Sequence, residues 1–367
     1  MRKSLSVSRN PLIGGAIEKT DVVPHIKPLR ELGLPTDLLC LRLVPGTAIV
    51  YAGGADGKIY RINFDETKPV PTSWSAHVSY VSALVLVGKQ LISAGSDHQL
   101  IWWDIEEIKL HGSVERGTSP MSGGQKKIRS IDGHGKKWIR GLALSHNEKM
   151  LASVGDDMIA RLWDVQSGKA IRELVGHDKN TPFGLVSKLY CCHISADSKH
   201  LATGDQAGRV IVWEIESGKQ VGKIHASHFY THDTNGHTYG GIRCVQFSPD
   251  GKHLALSGNL AGDTSTITNS KGLVQIYEWQ TGKQILDLKI KVNGFIESIR
   301  FHPKNSWLFA ATGAGEGNKV FVIDLKKNEV IAEYQARTQV FDLNLNATGD
   351  NLYLVGRKKA ICWQLAW

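Results

Sequence analysis

The sequence contains few cysteines and no long run of apolar residues. Five cysteines in 367 residues are too few for a disulfide framework, so we expect reduced thiols inside strands. No stretch approaches the roughly 18 apolar residues of a membrane span, and residues 1–20 lack the apolar core of a secretory signal. These absences predict a protein of the cytoplasm, or of the nucleus in a eukaryotic cell, without a membrane partner.

The sequence also lacks the motifs of common catalytic sites. The stretch Gly54–Ile59 resembles a phosphate-binding loop only superficially, because its Gly-Lys pair is followed by isoleucine rather than by serine or threonine. The glycines of 313–317 are not followed by the helix that a dinucleotide site needs, and no Gly-x-Ser-x-Gly elbow occurs. We therefore expect a non-enzymatic protein, and we predict no catalytic residue, no cofactor and no metal site.

The most informative stretch runs over residues 133–164, from a Gly-His pair to a Trp-Asp pair. It contains three short β-prone runs, Trp138–Leu144, Met150–Val154 and Ile159–Trp163, which are separated by polar turns. Such runs, too short for helices and rich in β-branched and aromatic residues, predict antiparallel strands joined by tight turns.

This stretch resembles one repeat of the WD-repeat family, whose repeats of about 40–45 residues form the four-stranded blades of a β-propeller. In that family a His, a Ser or Thr, an Asp and a Trp form a hydrogen-bonded network within each blade. The resemblance assigns this structural role in three repeats to His77, Ser93, Asp97 and Trp103, to His134, Ser153, Asp157 and Trp163, and to His177, Thr203 and Trp213. In the third repeat Ala207 stands at the aspartate position, so we expect an incomplete network there.

The tryptophan position of this network recurs along the chain. Ile62, Tyr277, Ile323 and Trp363 occupy it in four further repeats, where we expect apolar packing instead of the polar network. Seven such positions predict an all-β fold, a seven-bladed β-propeller of four-stranded antiparallel blades. Several spacings between these positions exceed the repeat length of about 40–45 residues. This excess predicts long loops, among them Glu106–Lys126.

The two ends of the chain are expected to share the last blade. His25–Leu32 resembles Ala170–Leu174, a predicted outer strand, and the chain stops at Trp367, soon after the third strand of its last blade. An N-terminal strand would then close the ring and remove an exposed sheet edge. We thus predict a flexible segment over 1–24 and a single propeller domain over 25–367.

Long inserts predict where a partner binds. In this family the loop that enters each blade and the turn between its second and third strands lie on one face, called the top. The inserts 178–188, 225–236 and 259–271 map to that face. One interpretation is that their aromatic residues, together with neighbouring basic residues, bind a protein or peptide partner of acidic character. The alternative is that these loops pack on themselves. These predicted contact residues are Phe183, Phe229, Tyr230, Tyr239, Lys136, Lys137, Arg140 and Arg243.

One insert is rich in histidine. Residues 225–237 contain four histidines and Asp233, a density that could bind zinc or copper. Neither a helix nor a cysteine pair fixes their spacing, so a solvated or pH-sensitive loop is the favoured interpretation.

Three classes of function stay open at this stage. The leading interpretation is a non-enzymatic scaffold that binds a protein or peptide on its top face and is monomeric until it joins a complex. The net charge of +9 and the isoelectric point near 9.2 keep a nucleic-acid-associated component of a larger assembly as an alternative. The other alternative is an enzyme with a site in the central funnel, and no sequence motif supports it.

Overall fold

Apolar runs of about six residues, each ended by a polar turn, form the strands of this protein. The structure is a computed structural model that describes residues 23–105, 125–232, 238–260, 271–304, 306–315 and 317–366. In chain order its strands are β1 (His25–Gly33), β2 (Leu38–Leu43), β3 (Ile49–Gly54), β4 (Lys58–Asn63), β5 (Thr72–Ser75), β6 (Val81–Val87), β7 (Gln90–Gly95), β8 (Gln99–Asp104), β9 (Lys126–Asp132), β10 (Ile139–Leu144), β11 (Met150–Gly155), β12 (Ile159–Asp164), β13 (Ala170–Val175), β14 (Leu189–Ile194), β15 (His200–Asp205), β16 (Arg209–Glu214), β17 (Gln220–His225), β18 (Tyr230–His232), β19 (Thr238–Gly240), β20 (Ile242–Phe247), β21 (His253–Leu260), β22 (Lys271–Glu278), β23 (Lys283–Phe301), β24 (Trp307–Gly315), β25 (Lys319–Asp324), β26 (Glu329–Gln335), β27 (Val340–Leu345), β28 (Asn351–Gly356) and β29 (Lys359–Ala366).

All of these strands except β18 and β19, which pair with each other, form seven antiparallel blades, as predicted. Strands β2 to β5, β6 to β9, β10 to β13 and β14 to β17 make four separate four-stranded sheets, and β27 to β29 join β1 in another. Blades 5 and 6 form one seven-stranded sheet, because the 19-residue strand β23 is both the outer strand of blade 5 and the inner strand of blade 6. Blade 6 therefore begins near Gly294, where β23 starts to pair with β24.

The blades are arranged around a central axis. The first strands of successive blades contact one another in the order β2, β6, β10, β14, β20, β23 and β27, and β27 contacts β2 again. The apolar core lies between the sheets; one cluster, for example, joins Leu162 of blade 3 to Leu201 and Trp213 of blade 4. A twisted four-stranded sheet cannot bury its own faces, so each blade depends on its two neighbours.

The ring is closed by the N-terminal strand, which confirms the prediction. Strand β1 pairs antiparallel with β29 from His25 opposite Ala366 to Gly33 opposite Lys359. Leu32 is buried in a cluster with Tyr353 and Cys362 of blade 7. The edge of β29 is thereby covered, which removes the unpaired backbone groups that an open sheet would present.

Several predicted loops fall at least partly outside the described residues. The structure does not describe their residues 1–22, 106–124, 233–237 and 261–270. These ranges include most of the predicted flexible N-terminal segment and of the insert 106–126. The single helical element seen elsewhere is a short 3-10 turn at Ser227–Phe229. Among the residues described, no helix has the length and apolarity needed to cross a bilayer.

The closure yields a direct test. Deleting residues 1–33 removes β1, leaves β29 as an open edge and loses the burial of Leu32, which by itself stabilises the fold by about 2 kcal/mol. We expect a lower melting temperature and concentration-dependent aggregation, measured by calorimetry and light scattering. Deleting residues 1–22, which keeps β1, is the control and should leave both unchanged. Equal melting temperatures for the two truncations would show that β1 does not close the ring.

Candidate functional site

The polar network of blade 2 forms as predicted. The side chain of His77 lies 2.8 Å from the carboxylate of Asp97 through Nδ1 and 2.8 Å from the hydroxyl of Ser93 through Nε2. The indole N–H of Trp103 donates to the same hydroxyl oxygen at 2.9 Å. Because an ionised carboxylate can only accept, Nδ1 carries the proton and Nε2 accepts from Ser93. The chain of bonds links β7 and β8 to the loop that enters the blade, and each polar atom of the network has a partner.

Blade 3 repeats this geometry and adds a cation. Asp157, Ser153 and Trp163 make the corresponding bonds around His134, each at 2.8 Å. The guanidinium of Arg161 also bonds Asp157. Burial raises the pKa of Asp157, but the hydrogen bonds and charges of His134 and Arg161 outweigh burial and hold that pKa below its ordinary value.

The network of blade 4 is complete, so the prediction of an incomplete network was wrong. Nδ1 of His177 lies 2.9 Å from the carboxylate of Asp205, two residues before Ala207. Thr203 and Trp213 complete the chain at 2.8 and 2.9 Å. Asp205 thus takes the role that the spacing of the other repeats assigned to position 207.

Backbone geometry explains how Asp205 can replace an aspartate two positions later. Asp205 ends β15 at the position that Gly95 occupies in blade 2. A Cβ atom on Gly95 would lie 2.5 Å from Nδ1 of His77, so a side chain at this position points directly at the imidazole. The signal in the sequence was an aspartate at a position where the other two networks have glycine.

The blades without a His network are held in other ways. Ile62, Ile323 and Trp363 are buried in apolar clusters, as predicted. Tyr277 is also buried in an apolar cluster, as predicted, and its hydroxyl donates in addition to Gln275 at 2.8 Å within blade 5. Gln275 in turn donates to Asp287 at 2.8 Å, so blade 5 has a polar bridge of its own.

Two of the predicted aromatic contact residues are not available to a partner. Phe229 is 0% exposed and Tyr230 is 9% exposed, so their prediction as surface anchors was wrong. The 3-10 turn folds Phe229 inward onto Gly258, where a Cβ atom would lie 2.8 Å from its ring. Its ring then joins the core cluster of blades 4 and 5 with Ile242. The side chain of Tyr239 lies outside the described residues.

The insert between blades 3 and 4 does present apolar side chains to solvent. Residues 179–187 form a small hairpin in which the amide of Thr181 donates to the carbonyl of Leu185 at 2.7 Å. Near its tip Phe183 is 55% exposed and Val186 is 69% exposed. The ring of Phe183 stacks on Tyr230 with centroids 5.9 Å apart, so this exposed side chain is held by a buried neighbour. That Phe183 contacts a partner stays a prediction.

The central channel opens on the top face, and one residue from each blade forms its mouth. In the inner strand of each blade the pairing register shifts around one residue, as between Ile139 and Gly141. That residue is left out of the pairing and faces the channel. The channel cavity has a volume of about 470 Å³. The seven residues at these positions are Leu39, Ser82, Arg140, Tyr190, Arg243, Glu297 and Phe341.

The two arginines at the mouth are stacked among aromatic rings. The guanidinium of Arg140 lies 4.0 Å from the ring centroid of Trp138 and 5.2 Å from that of Tyr190. The guanidinium of Arg243 lies 4.9 Å from Tyr190 and 4.7 Å from Phe295. Tyr190 therefore lies between Arg140 and Arg243, two predicted contact residues. The sequence analysis did not predict Tyr190 as a contact residue, although it occupies the same bulge position in its strand as the two arginines do in theirs.

The charges of the predicted basic residues differ in how far they are neutralised. Arg140 forms an ion pair with Asp156, with Nη2 and Oδ2 3.1 Å apart. Arg243 forms no ion pair with the residues described, and its Nε is buried without a hydrogen-bond partner. Lys136 and Lys137 are exposed in the loop that enters blade 3.

Deeper in the channel the charges neutralise one another. Asp342 of blade 7 accepts from Arg42 of blade 1 at 3.3 Å and from Arg300 of blade 6 at 3.1 Å. Ser298 donates to the same carboxylate at 3.0 Å. This cluster joins three blades across the ring closure, and we interpret it as structural.

No group of three or more metal-ligating side chains occurs in the described part of the chain, which excludes residues 233–237 of the His-rich insert.

Comparison with known proteins agrees with this fold. The family described as "WD domain, G-beta repeat" matches residues 125–164, 168–214 and 229–267. Similar proteins include apoptotic protease-activating factor 1 of Rattus norvegicus, 25% identical over 67% of this chain and 20% of that protein. A guanine nucleotide-binding protein subunit beta-like protein of Encephalitozoon cuniculi is 23% identical over 79% of this chain and 82% of its own length. The nuclear distribution protein nudF of Aspergillus niger is 21% identical over 71% of this chain and 53% of its own length.

Three complete His networks, seven blades and these matches define the class of the protein. The three matched segments and the similar proteins support placing the chain in the WD-repeat family. Proteins of this family are in general scaffolds for protein interactions. The chain spans one fifth of the rat relative and about half of the Aspergillus relative, so their complete activities are not assigned to it.

The network of blade 3 predicts a pH-dependent stability. Asp157→Ala leaves the buried imidazole of His134 without its acceptor, at a cost of about 1–3 kcal/mol in the free energy of unfolding. The folded state holds the pKa of Asp157 below the unfolded value near 3.8, so this stabilisation is present above that pH and is lost as pH falls through the folded pKa. Denaturant unfolding from pH 7 to pH 3 should show the difference from wild type shrinking at the acid end. Glu115→Ala, in the insert 106–126, is the control, and an equal loss of stability for both variants would contradict the network.

Blade 4 allows an exchange experiment. Asp205→Gly removes the acceptor of His177 and should lower the free energy of unfolding by about 1–3 kcal/mol. Adding Ala207→Asp to this variant recreates the arrangement of blades 2 and 3 and should recover more than half of the loss. Ala207→Asp alone should bring no gain, because Asp205 already bonds the imidazole. A double variant as unstable as Asp205→Gly in denaturant unfolding would show that Asp205 acts in some other way.

Proposed function

We propose that this protein is a non-enzymatic scaffold that holds an acidic segment of a protein partner against the mouth of its central channel. The observation that carries the proposal is Arg243, a guanidinium set between the rings of Tyr190 and Phe295 with a buried Nε that has no hydrogen-bond partner. Buried polar groups in folded proteins are normally paired, so this N–H favours an acceptor that comes from outside the chain.

A carboxylate is the acceptor that suits Arg243 best. A guanidinium bonds a carboxylate through two parallel N–H groups, and such a bond is stronger away from bulk water. Arg140 is less available, because Asp156 already neutralises it. The aromatic rings that flank Arg243 would contact the apolar part of a residue next to the acidic one.

The rim of the same face supplies further contacts. The hairpin 179–187 offers Phe183 and Val186 as exposed apolar contacts, and large apolar residues near the centre of an interface contribute most of its binding energy. Lys136 and Lys137 are exposed, so we assign them to the rate of encounter and its salt dependence rather than to the final affinity.

The proposal includes a cellular location and an oligomeric state. We propose a cytoplasmic or nuclear protein, an idea supported by five cysteines that are all free. We also propose a monomer that assembles with its partner. The relatives named above are consistent with roles in assemblies, but their partners are not assigned to this chain.

The contact at Arg243 can be tested by crosslinking and mutation. Partners captured by crosslinking would be identified by mass spectrometry, and the crosslinked segment would be made as a labelled peptide for fluorescence anisotropy. Arg243→Ala should weaken its binding about tenfold or more, because a charge-assisted hydrogen bond contributes about 1.5–3 kcal/mol. Lys252→Ala, which removes an equal charge from the β20–β21 turn on the opposite face, is the matched control. If the peptide still binds Arg243→Ala but no longer binds Lys252→Ala, the binding site lies on the opposite face and the proposal is wrong.

A further inference from the structure

A second charged cleft lies on the top face, away from the residues assigned to the channel mouth. It lies between blades 6 and 7 and has a volume of about 350 Å³. Three top-face segments line it: the β24–β25 turn, the loop that enters blade 7 and the β28–β29 turn. Their lining residues are Gly315, Asn318, Arg337, Thr338, Gln339, Arg357, Lys358 and Lys359.

The residues that the structure describes leave most of the positive charge of this cleft uncompensated. Lys359 forms an ion pair with Glu31 of the closing strand. Arg337, Arg357 and Lys358 are exposed, and none of them forms an ion pair with the residues that the structure describes. Three unpaired cations around one cleft repel one another, so an anion bound among them would gain from all three at once.

The charge of this turn distinguishes blade 7 from blades 1 to 3. In blades 1 to 3 the turn between the second and third strands is centred on an aspartate, namely Asp56, Asp97 or Asp157. In blade 7 the same turn is the two-residue pair Arg357-Lys358, between the paired Gly356 and Lys359. An acidic position of the repeat is thus replaced by two basic residues.

The backbone around the cleft is held in place before any ligand binds. The amide of Arg357 donates to the carbonyl of Gln339 at 3.0 Å, and the hydroxyl of Thr338 donates to the carbonyl of Arg357 at 2.9 Å. On the other side the amide of Ala336 donates to the carbonyl of Asn318 at 2.7 Å. The three segments are therefore fixed relative to one another, which lowers the entropic cost of binding.

We propose that this cleft between blades 6 and 7 is a binding site for a phosphate monoester. A carboxylate would neutralise only one of the three free cations. A phosphate monoester carries about −1.5 to −2 charges at pH 7 and three acceptor oxygens. Its oxygens match the paired N–H groups of Arg337 and Arg357, and Lys358 adds a point charge. The phosphate can come from a small molecule or from a phosphorylated side chain of a bound protein, since both present the same group.

Calorimetric titration tests the site with defined probes. The probes are glycerol 3-phosphate, a short neutral peptide with one phosphoserine, and the same peptide without phosphate. The intact protein should bind at least one phosphate probe and not the unphosphorylated peptide. Stronger binding of the phosphopeptide would indicate a protein source of the phosphate, and stronger binding of glycerol 3-phosphate would indicate a small molecule.

Charge-matched variants locate the binding. Arg357→Glu with Lys358→Glu should weaken it about tenfold or more. Lys136→Glu with Lys137→Glu changes the net charge equally on the same face and should leave most of it. If this double variant folds poorly, Arg337→Ala, a single change of an exposed loop residue, provides a second variant that should also weaken phosphate binding. Arg243→Ala should leave phosphate binding unchanged, so the two proposed sites can fail separately. Equal losses in both double variants, or no binding of either phosphate probe, would overturn the proposal.

Discussion

The pairing of β1 with β29 is the constraint on which the rest of this structure depends. Every blade buries its faces only against two neighbours, so an incomplete blade would uncover apolar surface in itself and in the blades beside it. Blade 7 has only three strands from the C-terminal part of the chain, and the first described strand supplies the fourth. The closure thus joins residues more than 300 positions apart in sequence, and the ion pairs of Asp342 reinforce it from inside the channel.

Within the closed ring the blades are stabilised unequally. Blades 2, 3 and 4 contain complete His networks, whereas blade 5 uses Tyr277 and Gln275 and the remaining blades rely mainly on apolar packing. A buried network must be satisfied throughout to stabilise a fold, and Asp205 shows that the acceptor can move along the chain when its carboxylate still reaches the imidazole. The network thus requires a carboxylate within hydrogen-bonding distance of the imidazole, and it does not require an aspartate at a fixed position in the sequence of the repeat.

The rigid ring determines what the top face can bind. The register shift at the start of each inner strand turns one side chain per blade toward the axis, and this brings Arg140, Tyr190 and Arg243 together from three blades. A second concentration of positive charge lies between blades 6 and 7, where Arg357 and Lys358 replace the aspartate of other turns. The two places differ chemically: the first combines one available guanidinium with aromatic rings, and the second combines three exposed cations without aromatic residues.

The sequence by itself determined the architecture of this protein. Repeat spacing, β-prone runs and turn residues are local features. Through the resemblance to the WD-repeat family that they carry, they predicted seven blades, the networks of blades 2 and 3 and the closing strand. The tertiary structure alone decided which side chains are available. Phe229 is buried because the chain folds back over Gly258, and Tyr190 separates two arginines because neighbouring blades bring their bulged positions together. Whether an aromatic residue in an insert is covered, and which cations share a cleft, depends on contacts between residues far apart in the chain, and no local pattern encodes those contacts.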